Sequence, residues 1–250
     1  MLDSFSTLIS LILAAGAAGV VNALAGGGTL LTFPALTAVI SPVLANGTST
    51  VALMPGSLAS VWGYRRELRL VRRWALILLP SSVLGGTLGA LFVTQFPDYV
   101  FAALVPWLIL SATLLFLLQP FVSRFTHSAH RPLPVWVLIV AQFVIAVYGG
   151  YFGAGIGILM LASLGMMGLT DIHEMNAVKT VQAVAINIVA AIEFIRARNV
   201  VWHYALVMMV ASIVGGYFGA HYGRRLGRNL VRGIVIGIGI CLSVYYFAQR

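Results

Sequence analysis

Residues 4 to 64 form an unbroken run without a charged side chain. Further charge-free runs span positions 74–97, 99–123, 132–170, 199–223 and 233–249. A helix that crosses a bilayer needs about 20 consecutive apolar residues, so these runs hold eight to ten crossings. Barrel strands are segments of about ten residues with alternating polarity, a pattern these runs do not show. A water-facing surface is excluded too: soluble domains carry about a quarter charged residues, whereas only 8% are charged here and 60% are hydrophobic. The expected fold is all-α, a polytopic membrane helical bundle of 8 to 10 spans, lodged multi-pass in the cell inner (plasma) membrane.

The single Cys241 lies in the last apolar run and supplies neither a disulfide framework nor a thiolate metal site. The first apolar run is preceded by Asp3 rather than Lys or Arg and reads as a first helix, not a cleaved leader. The net charge of +9 comes from arginines scattered over short loops. Positive-inside topology accounts for most of it, and no soluble domain exists to present it to nucleic acid.

Sliding the chain along itself until Gly19 falls on Gly149 aligns its two halves without a gap. At that one offset Gly27 falls on Gly157, Leu31 on Leu161, Asn46 on Asn176, Arg66 on Arg196 and Val71 on Val201. The string Ser82-Val83-Leu84-Gly85-Gly86-Thr87-Leu88-Gly89-Ala90 meets Ser212-Ile213-Val214-Gly215-Gly216-Tyr217-Phe218-Gly219-Ala220. Compositional bias scatters Gly and Leu matches; it does not align Asn, Arg and a spaced glycine string at one offset. Two homologous transmembrane repeats are expected, 1–118 and 135–250, joined by a linker at 119–134. Paired repeats with a substrate site at their interface are a common transporter build.

The Lys and Arg positions set the orientation. Arg65, Arg66, Arg69, Arg72 and Arg73 form the densest cluster and are expected in the cytoplasm. Five crossings per half, giving inverted halves, add Arg124, Arg131, Lys179, Arg224, Arg225, Arg228 and Arg232 to that side, 12 basic residues against 3. Four crossings plus a re-entrant element give parallel halves and 10 against 5. The counts favour the inverted arrangement and leave a re-entrant first hairpin open.

The segment from Asn22 to Pro34 is expected to break its helix. Gly26, Gly27 and Gly28 each weaken a helix by about 1 kcal/mol relative to Ala, and Pro34 lacks a backbone donor. In lipid such irregular backbone survives only where protein or a water-lined cavity satisfies it. A helix restarting near Thr29 aims its N–H groups and positive dipole end into the bundle, which favours an anion. The counterpart in the second half is Gly149-Gly150-Tyr151-Phe152-Gly153-Ala154-Gly155-Ile156-Gly157. Paired interruptions of this kind point to a transporter's binding site. The glycines at 85, 86, 89, 215, 216 and 219 read instead as close helix packing.

A polar patch follows each break: Asn46-Gly47-Thr48-Ser49-Thr50, and Asn176-Ala177-Val178-Lys179-Thr180. Helix N-caps explain such patches equally well. Lys179 stands apart as the only lysine, four residues into an apolar helix where the repeat partner is Ser49. It reads as an anion contact, with a snorkel to the interface as the alternative. Gln182, Asn187 and Glu193 lie deeper in that helix, and Gln142 in another. Such side chains join helices or line a path, and their helical angles do not all face one cavity. The substrate-binding candidates are therefore Asn22, Gly26, Gly27, Gly28, Thr29, Asn46, Thr48, Ser49, Thr50, Gly155, Gly157, Asn176, Lys179, Thr180, Gln182 and Asn187.

Over essentially its whole length the sequence resembles the TauE/SafE family of sulfite and organosulfonate exporters, also called the toluenesulfonate uptake permease family. The resemblance rests on G-x-x-N-A-L-A-G-G-G-T-L-L-T-F-P-A-L from Gly19 to Leu36, and on A-N-G-T-S-T from Ala45 to Thr50 leading to Tyr64-Arg65-Arg66. The duplicated glycine stretches complete it. The second half departs from the pattern, with Leu164 where the first repeat has Pro34 and Ala177-Val178-Lys179 in place of Gly-Thr-Ser. The resemblance implies an integral membrane permease for a small anion such as sulfite or an organosulfonate.

Export by alternating access is the expected activity, because an interior-negative potential expels anions at about 2.3 kcal/mol per charge per 100 mV. No coupling ion and no cofactor are required, and the expected partners are a small anionic substrate and the lipid bilayer. A proton-coupled importer of a small organic anion is the alternative, supported only by His203 and His221 near span ends. An intramembrane enzyme needs a nucleophile with its base, or a metal cluster. The histidines at 127, 130, 173, 203 and 221 form no H-E-x-x-H, and no G-x-S-G serine motif is present.

Overall fold

The computed structural model describes residues 5–24, 26–127, 134–166, 169, 171–222 and 228–248. Among them ten helices follow one another: α1 (Phe5–Leu24), α2 (Thr29–Thr37), α3 (Pro42–Gly63), α4 (Arg65–Gln95), α5 (Asp98–His127), α6 (Val135–Tyr151), α7 (Ile156–Gly165), α8 (Ile172–Arg196), α9 (Trp202–Tyr222) and α10 (Arg228–Ala248). No strand occurs among the described residues. Among the described residues five helices, in α1, α4, α5, α8 and α9, are long and apolar enough to cross a membrane. At 1.5 Å per residue, α2 and α7 reach only about 14 to 15 Å, half of a hydrocarbon core of about 30 Å. The break expected near Gly26 to Thr29 is the gap that precedes α2; within the counterpart stretch Gly149 to Gly157 the gap before α7 is confined to 152–155, because α6 continues to Tyr151 and α7 starts at Ile156. Helices α1, α3 and α5 start at Phe5, Pro42 and Asp98, and α6, α8 and α10 start at Val135, Ile172 and Arg228, each at the offset that separates Gly19 from Gly149.

Neighbouring residues fix the helix directions. In α1 and α9, Gly16 abuts Gly215, Gly19 abuts Ser212 and Gly216, and Val20 abuts Gly219, so the two run the same way. Gly85 against Phe143 and Gly89 against Tyr151 make α4 and α6 codirectional. The same holds for α4 and α8, where Gly86 meets Ile186 and Thr94 bonds Glu193. Thr48 accepts from Val201 N and Gly56 lies against Ser212, so α3 follows α9. By contrast α3 opposes α8, since Gly47 meets Phe194 while Ser57 and Ser60 face Lys179 across a shared cavity. Helices α5 and α10 also oppose each other, with Gly239 at Thr113 and Trp107 at Phe247. Phe101 at Tyr151 starts α5 on the side where α4 and α6 end.

Helices α1, α3, α5 and α9 therefore run one way and α4, α6, α8 and α10 the other. Arg65, Arg66, Arg69, Arg72 and Arg73 open α4, and Arg228 and Arg232 open α10, on one side of the bundle. Arg196 and Arg198 lie on the other side. Arg131, Arg224 and Arg225 fall outside the described residues, as do residues 128–133 of the expected linker. The helix α5 itself continues to His127, well past residue 118.

In lipid, helices associate through packing rather than through burial from water, and small residues let their backbones meet. A Cβ on Gly150 would overlap the Gly86 carbonyl, and one on Gly215 would overlap the Gly16 carbonyl. The glycine strings thus hold α4 to α6 and α1 to α9. Buried polar groups add cross-links. The Ser82 hydroxyl donates to Gln182 Oε1 at 2.8 Å, Gln142 Nε2 donates to Ser82 at 2.8 Å, and Gln182 Nε2 donates to the Ala75 carbonyl at 2.8 Å. Ser212, the position that aligns with Ser82, donates to the Ala52 carbonyl at 2.7 Å and ties α9 to α3.

Candidate functional site

Helix α1 ends where Gly26 (φ +72°) and Gly27 (φ +125°) adopt backbone that side chains disfavour. The Asn22 carboxamide folds over this break. Its Oδ1 accepts from Gly27 N at 2.9 Å and Gly28 N at 2.7 Å. These two N–H groups, expected to point freely into the bundle, are capped. With Oδ1 so occupied, the donor group that Asn22 retains is its Nδ2 amide.

The second break runs through Phe152 (φ −139°), Gly153 (φ +80°) and Gly155 (φ +78°), and the Tyr148 hydroxyl closes it on the Ala154 carbonyl at 2.9 Å. The two breaks lie against each other: a Cβ on Gly26 would meet Gly157 Cα at 3.3 Å, and one on Gly27 would meet Gly155 N at 3.3 Å.

A cavity opens where the breaks meet α3 and α8. Its polar lining is Asn22, Thr29, Thr50, Ser57, Ser60, Lys179, Thr180 and Asn187, and glycines at 26, 27, 149, 153 and 157 supply bare backbone. The centre of a water-sized sphere can move through about 50 Å³ of it. One water needs about 10 to 15 Å³ by that measure, so the space fits a few waters or one small oxyanion.

Lys179, only 4% exposed, is the one ionisable side chain among the described lining residues. The hydroxyls of Thr50, Ser57, Ser60 and Thr180 donate to carbonyls on their own helices. A protonated Lys179, together with the positive end of the α2 dipole, makes the site attractive to an anion.

The cavity is displaced toward the arginine-rich side. It reaches Ser60, one turn from the end of α3, but contains no α3 residue before Thr50. Toward the opposite side stands an aromatic floor. Phe152 lines the cavity and packs edge-on against Phe33 at 5.2 Å, and Phe33 meets Phe101, which meets Tyr151.

Of the sequence-derived candidates, the cavity gathers Asn22, Gly26, Gly27, Thr29, Thr50, Gly157, Lys179, Thr180 and Asn187. The others lie around it. Gly28 packs on Ala18, and Gly155 begins α7 in left-handed backbone. Thr48 accepts from Val201 N, Ser49 bonds Thr32, and Gln182 joins α8 to α4. Asn46 Nδ2 donates to the Tyr151 carbonyl at 2.9 Å, and Asn176 Nδ2 to the Ile172 carbonyl at 2.8 Å. Neither Asn caps a helix: α3 and α8 begin four residues earlier, and Asp171 caps α8 through His173 N and Glu174 N. The early start puts Lys179 two turns inside α8. Glu193 is outside the cavity, held by Thr94 and by Arg196 at 3.9 Å.

Ser57, Ser60 and Phe152 escape the sequence reading. Thr50, Leu53, Ser57 and Ser60 follow the i, i+3, i+7, i+10 spacing of one helix face, a signal visible once Thr50 is taken as lining. Phe152 carries no polar signature. Among the histidines, His130 lies outside the described residues. No cluster of three His, Cys, Asp or Glu side chains forms among the described residues.

A profile of the family described as sulfite exporter TauE/SafE matches residues 11–246. The chain is similar to a probable membrane transporter protein of Haemophilus influenzae, 30% identical over 200 residues that cover 79% of this chain and 78% of the relative. A probable membrane transporter protein ORF9 of a Sinorhizobium species is 30% identical over 216 residues, 85% and 81% of the two chains. The probable membrane transporter protein YfcA of Escherichia coli K12 is 29% identical over 201 residues, 79% and 74% of the two. No solved structure matches the chain.

Proposed function

Because the chain belongs to the sulfite exporter TauE/SafE family, we propose that it carries a small anion, such as sulfite or an organosulfonate, out of the cell by alternating access at its paired helix breaks. It is a membrane transporter rather than an enzyme, as the family and the relatives' names indicate. The observation that supports the anion reading is a lysine buried in the lining of a cavity with room for one small oxyanion. Asn22 and Asn187 amides and the Thr29 hydroxyl supply donors around it.

Two inverted repeats, 1–118 and 135–250, account for the matched helix starts and for the reversed directions of α3 and α8 and of α5 and α10. With the arginine-rich side in the cytoplasm, in the inner membrane, each half crosses the bilayer five times, α2 and α7 forming the short return segments between the codirectional α1 and α3 and the codirectional α6 and α8. The cavity then faces the cytoplasm, and the aromatic cluster shuts the far side.

The repeats differ at one informative contact. Asn46 reaches across to the Tyr151 carbonyl, whereas Asn176, its counterpart, bonds back to its own helix. Exchanging the two arrangements gives the outward-facing form, in which Asn176 reaches the Val21 carbonyl and Asn46 lets go of Tyr151.

Purified protein in vesicles tests this. Efflux of labelled sulfite or of a sulfonate should appear with the protein and accelerate under an interior-negative potential, which drives a divalent anion outward by roughly 4 to 5 kcal/mol per 100 mV. No flux across a panel of sulfur oxyanions, sulfonates and carboxylates refutes the permease. Net uptake of the anion that requires an inward proton gradient instead makes the protein a proton-coupled importer.

A further inference from the structure

The arginines that open α4 do more than mark a side of the membrane. Their helix is kinked at Val71 (φ −112°, ψ 17°), which separates the segment 65–70 from the spanning part. A groove of about 250 Å³ crosses this kink, lined by Arg65, Leu68, Arg69 and Arg72, then by Ala75, Leu76 and Leu79, with Val181 of α8 as its far wall.

The lining changes in character along its length. Arginines occupy the first two turns, and apart from Val181 only apolar side chains of α4 follow. Glu67, the only acidic residue between Asp3 and Asp98, does not line the groove.

Trp62 fixes the level of the arginines relative to the bilayer. It is 72% exposed, and its ring lies under the Arg65 guanidinium at 5.1 Å, while Arg65 also donates to the Trp62 carbonyl at 3.0 Å. Exposed tryptophans of membrane proteins sit at headgroup depth. Arg65 is thus pre-positioned at that level, and the leucines that follow lie at acyl depth, with Leu76 54% exposed.

We propose that this groove is a binding site for one anionic phospholipid, its phosphate held by Arg65, Arg69 and Arg72 and an acyl chain lying along Leu68, Leu76, Leu79 and Val181. Charge and depth both select that occupant. A free anion would satisfy the arginines and leave the apolar length empty; a zwitterionic lipid would leave the guanidinium charges uncompensated. Val181 is adjacent to Thr180, which lines the transport cavity from the same helix. The bound lipid braces α8 from outside.

The test is native mass spectrometry of the full chain released from vesicles of mixed phosphatidylglycerol and phosphatidylcholine. Wild type should retain one phosphatidylglycerol in preference to phosphatidylcholine. The double variant R69Q/R72Q should lose it about tenfold or more, since each basic side chain at the surface adds measurably to anionic lipid attraction. R66Q/R73Q removes the same charge from arginines of the same helix that do not line the groove, and should retain the lipid.

Equal loss in both variants, no loss in either, or displacement of the lipid by millimolar inorganic phosphate or sulfite overturns the proposal. If R69Q/R72Q does not accumulate, Leu76→Trp fills the apolar length without changing charge and is read the same way: loss supports the site, retention overturns it. The readout is bound lipid, so it stands apart from whether the protein transports sulfite.

Discussion

Replacing Lys179 with Met removes the ammonium group from the cavity lining and leaves an unbranched side chain of similar length. Both residues are good helix formers, so α8 is expected to persist. A unit charge pair about 4 Å apart is worth about 4 kcal/mol at an effective dielectric near 20. Much of that offsets the hydration the anion leaves behind, and a hydrogen bond to a charged group nets about 1.5 to 3 kcal/mol. At 1.4 kcal/mol per factor of ten, the apparent affinity should fall by roughly 10- to 150-fold. The assay is the concentration dependence of labelled sulfite flux in vesicles, with size-exclusion profiles to establish that the variant folds. KM should rise by that factor, and Lys179→Arg, which keeps the charge on a bulkier head, should retain part of the activity. A folded Lys179→Met with wild-type KM would mean that the anion does not meet this side chain, and the electrostatic reasoning would fail.

Other substitutions separate site from scaffold. Asn22→Asp keeps an acceptor for Gly27 N and Gly28 N but turns a negative charge toward the cavity; thermal stability should hold while KM rises about tenfold or more. Asn22→Ala strips the cap and should instead destabilise by about 1 to 3 kcal/mol, read as a lower midpoint of thermal unfolding. Gly150→Ala forces a methyl into the Gly86 carbonyl and should cost about 1 to 3 kcal/mol, whereas Gly237→Ala, with nothing within 4 Å of the new Cβ, should be neutral or gain up to about 1 kcal/mol. Gln182→Leu breaks the bonds to Ser82 and the Ala75 carbonyl; unfolding should come earlier by about 1 to 3 kcal/mol with KM unchanged.

The sequence carried the fold furthest where lipid imposes a one-dimensional rule. Charge-free runs mark helices because a charge inside hydrocarbon is costly, and three successive glycines mark a break because nothing else in the chain can stop a helix there. Rules of that kind do not say which helix packs on which. Gly150 meeting Gly86, and Gly215 meeting Gly16, follow from spacing in three dimensions, and the glycine strings signalled only a readiness for close contact.

The site shows the same division. Lys179 and Thr29 stood out because a charge or a broken helix is rare in a span. Ser57 and Ser60 did not, since serine in a membrane helix usually bonds its own backbone, as both also do here. The patches at Asn46 and Asn176 read equally well as caps; only the helix starts at Pro42 and Ile172 show that they stand a turn inside their helices.

Selenite, a heavier analogue of sulfite, allows the bound anion to be located directly by its anomalous scattering in crystals of the unlabelled protein. One selenium peak is expected inside the cavity, within hydrogen-bonding reach of Lys179 Nζ and the Asn22 amide, and absent from Lys179→Met crystals. An empty cavity with selenium bound elsewhere, or a peak that persists unchanged in Lys179→Met, would contradict this site.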